Sequence, residues 1–221
     1  MNTLTAPPVA DLLTRLYADA DASTAVLRQM FGALSPEERR ARMADANSDY
    51  RQFYHRAKDV HMAVSPETGK LLYMLARATR ARAIVEFGTS FGLSTLHLAA
   101  ALRDNGGGTL IGSELEPTKA AHARANLAAA GLADLVDLRE GDAIETLARD
   151  LPESIDVVLL DGHKPLYPRV LELVASRLHA GSCLVADNAD ASPDYLARVR
   201  APGGDFLSVP FASDVELSIK V

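Results

Sequence analysis

The chain has 221 residues, 48% of them hydrophobic and 24% charged, with a formal net charge of -6. That length and apolar content exclude a disordered chain and allow one large core, and the acidic balance, which repels phosphate backbones, excludes nucleic acid as a substrate. No stretch approaches the roughly 20 apolar residues that span a bilayer, no basic start leads a long apolar segment, and the single cysteine, Cys183, has no internal disulfide partner, so the expected setting is the reducing cytoplasm away from membranes.

The first residues read as helical and polar, and residues 1–57 are expected to form a helical extension of one domain spanning 1–221. Ser35-Pro36-Glu37-Glu38 combines an N-cap serine, a proline at the first helical position and a glutamate three residues after the cap. Ser65-Pro66-Glu67-Thr68 repeats that start before Leu71, Leu72, Met74 and Leu75. From Ala83 onward, apolar strand candidates at 83–87, 109–113, 135–139, 155–160 and 183–186 alternate with helix candidates near 93–104, 117–130, 143–150 and 165–178. Strands this apolar, separated by helices, predict a parallel sheet covered on both faces, an α/β doubly wound fold. The rhythm then changes: 206–209 and 215–221 are joined only by 210–214, too short for a parallel crossover, so they are expected to pair as an antiparallel hairpin. Parallel strands closed by a hairpin point to a methyltransferase rather than a dinucleotide dehydrogenase.

The first strand runs into Glu86-Phe87-Gly88-Thr89-Ser90-Phe91-Gly92-Leu93-Ser94. Glycines here let the backbone turn tightly and approach a ligand at a helix amino terminus, yet serine at 90 breaks the dinucleotide pattern G-x-G-x-x-G. Glu86, at the strand end, suits a cationic amino group; Ser94, at the helix start, suits a carboxylate. Together they suit an amino acid head group. A plain strand–turn–helix corner is the alternative. Glu114, ending the second strand, can accept both hydroxyls of a ribose. Glu116 is a rival for that role, but Pro117 places it at a helix start, where dipole stabilisation explains it. After the third strand, Asp142 is placed to hold an adenine amino group, and its spacing to Glu145 equally fits a capping box.

The fourth strand ends Asp161-Gly162-His163-Lys164 and the fifth ends Asp187-Asn188. On adjacent strands these tips converge, and two carboxylates with a carboxamide offer the oxygen donors that magnesium, manganese or calcium prefer. A helix cap at Asp161 and a turn at Asp187-Asn188 are the plainer alternative. Lys164 is a candidate general base, because a nearby cation and desolvation both lower a lysine's proton affinity; otherwise it is an ordinary surface lysine. His163 is expected to line the pocket or face solvent. His55, His61, His97, His122 and His179 read as structural or exposed, and Cys183 as a buried thiol.

From about Met62 to Asn188 these motifs resemble the catechol and caffeoyl-CoA O-methyltransferases and their small bacterial relatives. Met62-Ala63-Val64-Ser65-Pro66 looks like the segment that touches cofactor and substrate, Glu86 to Ser94 like the methionine-binding loop, Glu114 like the ribose acid, and Gly141-Asp142-Ala143 like the adenine-side turn. Asp161, Asp187 and Asn188 match the metal set, Asp161 also bordering the cofactor, and Lys164 the catalytic lysine. The resemblance implies a Rossmann-like seven-stranded sheet of the class I methyltransferases with an antiparallel C-terminal hairpin strand, and S-adenosylmethionine as methyl donor. It implies a divalent metal, magnesium first, a small catechol-like substrate, and a homodimer. The chain has no tryptophan; Val60 and His163 fall where the animal enzymes clamp the aromatic ring with tryptophans. Two rival classes are a nicotinamide-dependent oxidoreductase and a protein that binds S-adenosylmethionine without turnover.

Overall fold

The structure, a computed structural model, describes residues 2–32, 35, 49–212 and 214–221. The helix start expected at Ser35-Pro36-Glu37-Glu38 therefore lies, apart from Ser35, outside the described residues. Before the sheet come helices α1 (Val9–Gly32), α2 (Tyr50–Arg56) and α3 (Pro66–Ala78). Then β1 (Ala83–Phe87), α4 (Leu93–Asp104), β2 (Thr109–Glu114), α5 (Pro117–Ala129), β3 (Val136–Glu140), α6 (Ala143–Thr146), β4 (Ile155–Leu160), α7 (Tyr167–Ala175) and β5 (Leu178–Ala186) alternate. Helix α8 (Pro193–Val199) leads to β6 (Phe206–Phe211) and β7 (Val215–Lys220).

One seven-stranded sheet runs β3-β2-β1-β4-β5-β7-β6. The first five strands are parallel, and β7 inserts antiparallel between β5 and β6. Period-two alternation divides the core. Ile84, Leu110, Val157 and Val185 face α1, α3 and α4, whereas Val85, Ile111, Val158 and Leu184 face α7 and α8. Each of these eight side chains is almost entirely buried, which accounts for the unbroken apolar runs of a sheet covered on both faces. Val9, Leu12, Leu13 and Leu16 follow the i, i+3, i+4, i+7 spacing and join the first of these layers, anchoring the described part of the amino-terminal extension to α4. Serine 65 caps α3 as its motif predicts, its hydroxyl accepting from the Thr68 amide at 3.0 Å. His97 is buried and bonded through Nδ1 to the Leu93 carbonyl at 2.9 Å, and Cys183 is buried.

Three boundaries differ clearly from the sequence reading. The helix expected over 165–178 ends at Ala175, and β5 begins at Leu178, well before the expected 183. A bulge explains it: Ile155 pairs with Leu178 but Val157 with Cys183, and the Ser182 hydroxyl bonds both the His179 amide and the Ile155 carbonyl across the gap. The helix expected over 143–150 closes at Thr146, because the Arg139 guanidinium donates to the carbonyls of Thr146, Arg149 and Asp150 and satisfies its open end.

Candidate active site

The parallel strands all point their carboxyl ends to one edge, where ligands of such sheets bind. At the β1 tip the chain turns through Gly88 (φ 95°), Ser90 (φ 50°) and Gly92 (φ 87°) into α4. A Cβ on Gly88 would stand 2.7 Å from the Asp161 carbonyl, so glycine there lets the β1 and β4 tips touch. The Asp161 amide completes that contact, donating to the Phe87 carbonyl at 2.8 Å.

Glu86 sits beneath this corner with no exposed surface. Its Oε1 accepts from the Ser94 hydroxyl at 2.6 Å, and its Oε2 from Thr89 at 2.9 Å and Thr95 at 2.6 Å. Burial pushes its carboxyl up to about 7, against the three hydroxyls, which favour the charged form. The sequence reading aimed Glu86 and Ser94 at a ligand's amino and carboxylate groups. In this structure the two side chains bond each other, and neither lines the cleft. Val64 is likewise buried, at 2% exposure, and stands outside the lining.

The cleft itself is lined by Met62, Gly88, Glu114, Asp142, Ala143 and Asp161, which were singled out in the sequence, and also by His163. Glu114 accepts from the Ser90 amide at 2.7 Å and the Glu116 amide at 2.9 Å, and burial raises its proton affinity. Glu116 caps α5 by accepting from the Lys119 amide at 3.0 Å, as its position before proline predicts. Asp142 caps α6 through the Ile144 amide at 2.9 Å, and its other oxygen takes Tyr50 and Arg51.

A second cavity of about 390 Å³ adjoins this cleft, with Asp161, Met62 and Tyr54 common to both. It gathers Asp161, Lys164, Asp187 and Asn188, the four residues expected to carry metal and proton chemistry. Lys164 Nζ donates to Asp161 Oδ1 at 2.9 Å. Desolvation and then the Asp161 charge push the Asp187 carboxyl up to about 7, while the Lys164 charge opposes them. Asn188 takes a left-handed conformation, φ 47° and ψ 45°, which turns the chain sharply off β5. The Tyr167 hydroxyl fixes the Asp187 carbonyl at 2.7 Å. Among the described residues no group of three or more His, Cys, Asp or Glu side chains is placed to hold a metal; the donors gathered here are two carboxylates and a carboxamide. None of the described helices is long and apolar enough to cross a membrane.

Tyr50, Tyr54, Lys119 and Asp214 are polar lining residues that escaped the sequence reading. Tyr50 and Tyr54 reach the cleft from α2, and their i, i+4 spacing was the one available signal. Lys119 is 1% exposed and borders the cleft; burial lowers its proton affinity, while the Glu114 and Glu116 charges oppose that shift. Asp214, in the hairpin connection, accepts from Asn188 Nδ2 at 3.2 Å and lines the second cavity.

A family model described as a methyltransferase domain matches residues 85–189. A catechol O-methyltransferase from Niastella koreensis is 38% identical over 130 residues, covering 58% of either chain. A catechol O-methyltransferase from Mycobacterium tuberculosis is 35% identical over 136 residues, covering 62% of this chain and 61% of the relative. The chain thus spans about three fifths of the length of these curated relatives. The O-methyltransferase TomG from Streptomyces achromogenes, involved in tomaymycin synthesis and solved in complex with SAM, superposes with a TM-score of 0.65 at 28% identity, over 76% of this chain and 86% of that one. The resemblance read from the motifs is therefore shared by sequence and structure: residues 85–189 carry a methyltransferase-domain sequence, similar to catechol O-methyltransferases, on the seven-stranded sheet of the class I methyltransferases.

Proposed function

We propose that the protein is an S-adenosylmethionine-dependent O-methyltransferase that transfers a methyl group to a hydroxyl of a small, catechol-like aromatic with the help of a divalent metal. The observation that carries this reading is the gathering of Asp161, Lys164, Asp187 and Asn188 around one cavity that shares a wall with the glycine-loop cleft. The cleft takes the cofactor, with Glu114 on the ribose hydroxyls, Asp142 and Ala143 on the adenine side, and Met62, Gly88 and Asp161 along the methionine arm. Glu86, Ser94 and Val64 hold that wall from behind.

The donor set fits a hard cation: all three groups offer oxygen, and Asp187 is held near 7 partly because another carboxylate faces it. When bound, such an ion supplies Lewis-acid polarisation of the acceptor oxygen. The chain's own residues do the rest. Asp161 and Asp187 fix the acceptor side; Lys164, after its ammonium has released a proton to solvent, exchanges its contact with Asp161 for one to the substrate hydroxyl and takes that hydroxyl's proton. Positioning the oxygen in line with the methyl group supplies several kcal/mol, by about the measure of well-oriented intramolecular reactions. A nicotinamide oxidoreductase is disfavoured by serine at 90 and by the methyltransferase-domain match.

The reading extends to the whole chain as one domain, 1–221, because α1 joins the sheet's core layer and α2 reaches the cleft. It places the enzyme in the cytoplasm as a homodimer; Leu207 at 66% exposure and Val209 at 51% give the edge strand β6 an apolar face suited to a second copy. The test is methyl transfer from labelled S-adenosylmethionine to catechol, with and without chelator. Activity is expected to vanish in chelator, to return with magnesium or manganese, and to be absent in Asp187→Ala. Full activity in a chelated, verified metal-free enzyme refutes the metal's role; failure to transfer to any hydroxylated aromatic, with cofactor bound, refutes the acceptor class.

A further inference from the structure

Helix α2 lies across the cofactor cleft, and its first residue makes contacts there that resemble those of a nucleobase. The Tyr50 ring stacks on His163, with centroids 4.8 Å apart and planes 14° from parallel. Its hydroxyl donates to Asp142 Oδ2 at 2.5 Å, and the Arg51 guanidinium joins the same oxygen at 2.6 Å. Tyr54, one turn on, meets His163 edge-on at 6.1 Å. Tyr50 thus fills part of the cleft beside His163 and Asp142. A flat ring against an imidazole, with a polar hydrogen directed at a carboxylate, is also what an adenine and its exocyclic amine present.

We infer that Tyr50 is a built-in occupant of the adenine seat formed by His163 and Asp142, so that the cofactor's adenine displaces it on binding. The inference rests on the S-adenosylmethionine reading above. Tyr50 is a positioning residue on this account: it sets cofactor affinity through competition for one ring face and one carboxylate oxygen. A ligand that must first displace an internal contact loses affinity in proportion to the fraction of chains in which that contact is made. A tyrosine contact present in about nine of ten chains weakens the ligand about tenfold.

Calorimetry of the full chain with S-adenosylhomocysteine tests this. Tyr50→Ala is expected to bind about tenfold tighter than wild type, with Tyr50→Phe between them because it keeps the ring and loses the hydroxyl. Tyr50 is half-buried and belongs to neither core layer, and thermal melts of each variant check that it folds. Unchanged or weaker binding by Tyr50→Ala overturns the inference. A second readout uses the absence of tryptophan from the chain: in Tyr50→Trp the only indole is at the seat. Its emission is expected to shift to the red with S-adenosylhomocysteine and with adenosine, and to stay unchanged with homocysteine. An unmoved or blue-shifted emission at saturation, or a response to homocysteine alone, overturns it. If neither wild type nor any variant binds S-adenosylhomocysteine, the cofactor reading fails and takes this inference with it; if all bind alike, only the inference fails.

Discussion

Glu86→Gln should change how stability responds to pH. The carboxyl lies at zero exposure under three hydroxyls, and burial holds it at about 7 against an ordinary 4.5. The folded chain therefore keeps this proton over a range in which the unfolded chain has released it. Stability from this group is fully present below about 4.5 and is lost as pH rises toward and through 7. At 1.36 kcal/mol per unit, the loss between pH 5 and 8 comes to about 2–3 kcal/mol, a large share of an ordinary folding free energy. Glutamine keeps the size, and the hydroxyls of Thr89, Ser94 and Thr95 can rotate to serve its amide, but it carries no titrating proton. Urea unfolding of both chains at pH 5, 6, 7 and 8 isolates the effect as a difference at each pH. The variant is expected to gain on the wild type by about 2–3 kcal/mol across that range. Parallel curves, with a constant difference between the two chains, would refute the assignment of a buried, proton-retaining carboxyl.

Lys164→Ala is expected to retain S-adenosylhomocysteine binding while methyl transfer falls by about 10²–10⁴-fold, the range for a positioned base, as read by single-turnover kinetics. A variant with wild-type turnover refutes the lysine's role. Glu114→Ala is expected to weaken S-adenosylhomocysteine by about tenfold or more in calorimetry, since charge-assisted hydrogen bonds contribute about 1.5–3 kcal/mol each. Unchanged affinity there removes Glu114 from the ribose.

The sheet was legible because its physics is local. The runs Ala83-Ile84-Val85 and Val157-Val158-Leu159-Leu160 are apolar at consecutive positions, as strands covered on both faces require, and the short link before Val215 forced a hairpin. That Asp161, Lys164, Asp187 and Asn188 gather around one cavity was legible because they stand at or just beyond strand tips, and tips of neighbouring parallel strands meet. Other features depended on distance along the chain. Tyr50 meets Asp142 across 92 residues, and nothing in the sequence near either one specifies the other. Glu86 read as an open acid because its donors, Thr89, Ser94 and Thr95, surround it only after the glycine corner has folded. The length of β5 was hidden by a bulge built on the side chain of Ser182, which no period of hydrophobicity records.

The contact between Gly88 and Asp161 bears on how this scaffold can be remodelled. The loop after β1 and the tip of β4 meet backbone to backbone, with no side chain between them to absorb a shift. Any bulk added at residue 88 moves Asp161, which borders both cavities, so on the proposed reading donor affinity and acceptor selectivity are coupled at that corner. Asp214, which enters the second cavity from the hairpin connection, has no share in the glycine-loop cleft. On the proposed reading, libraries meant to change which hydroxyl is methylated should diversify that connection and leave the glycine corner untouched.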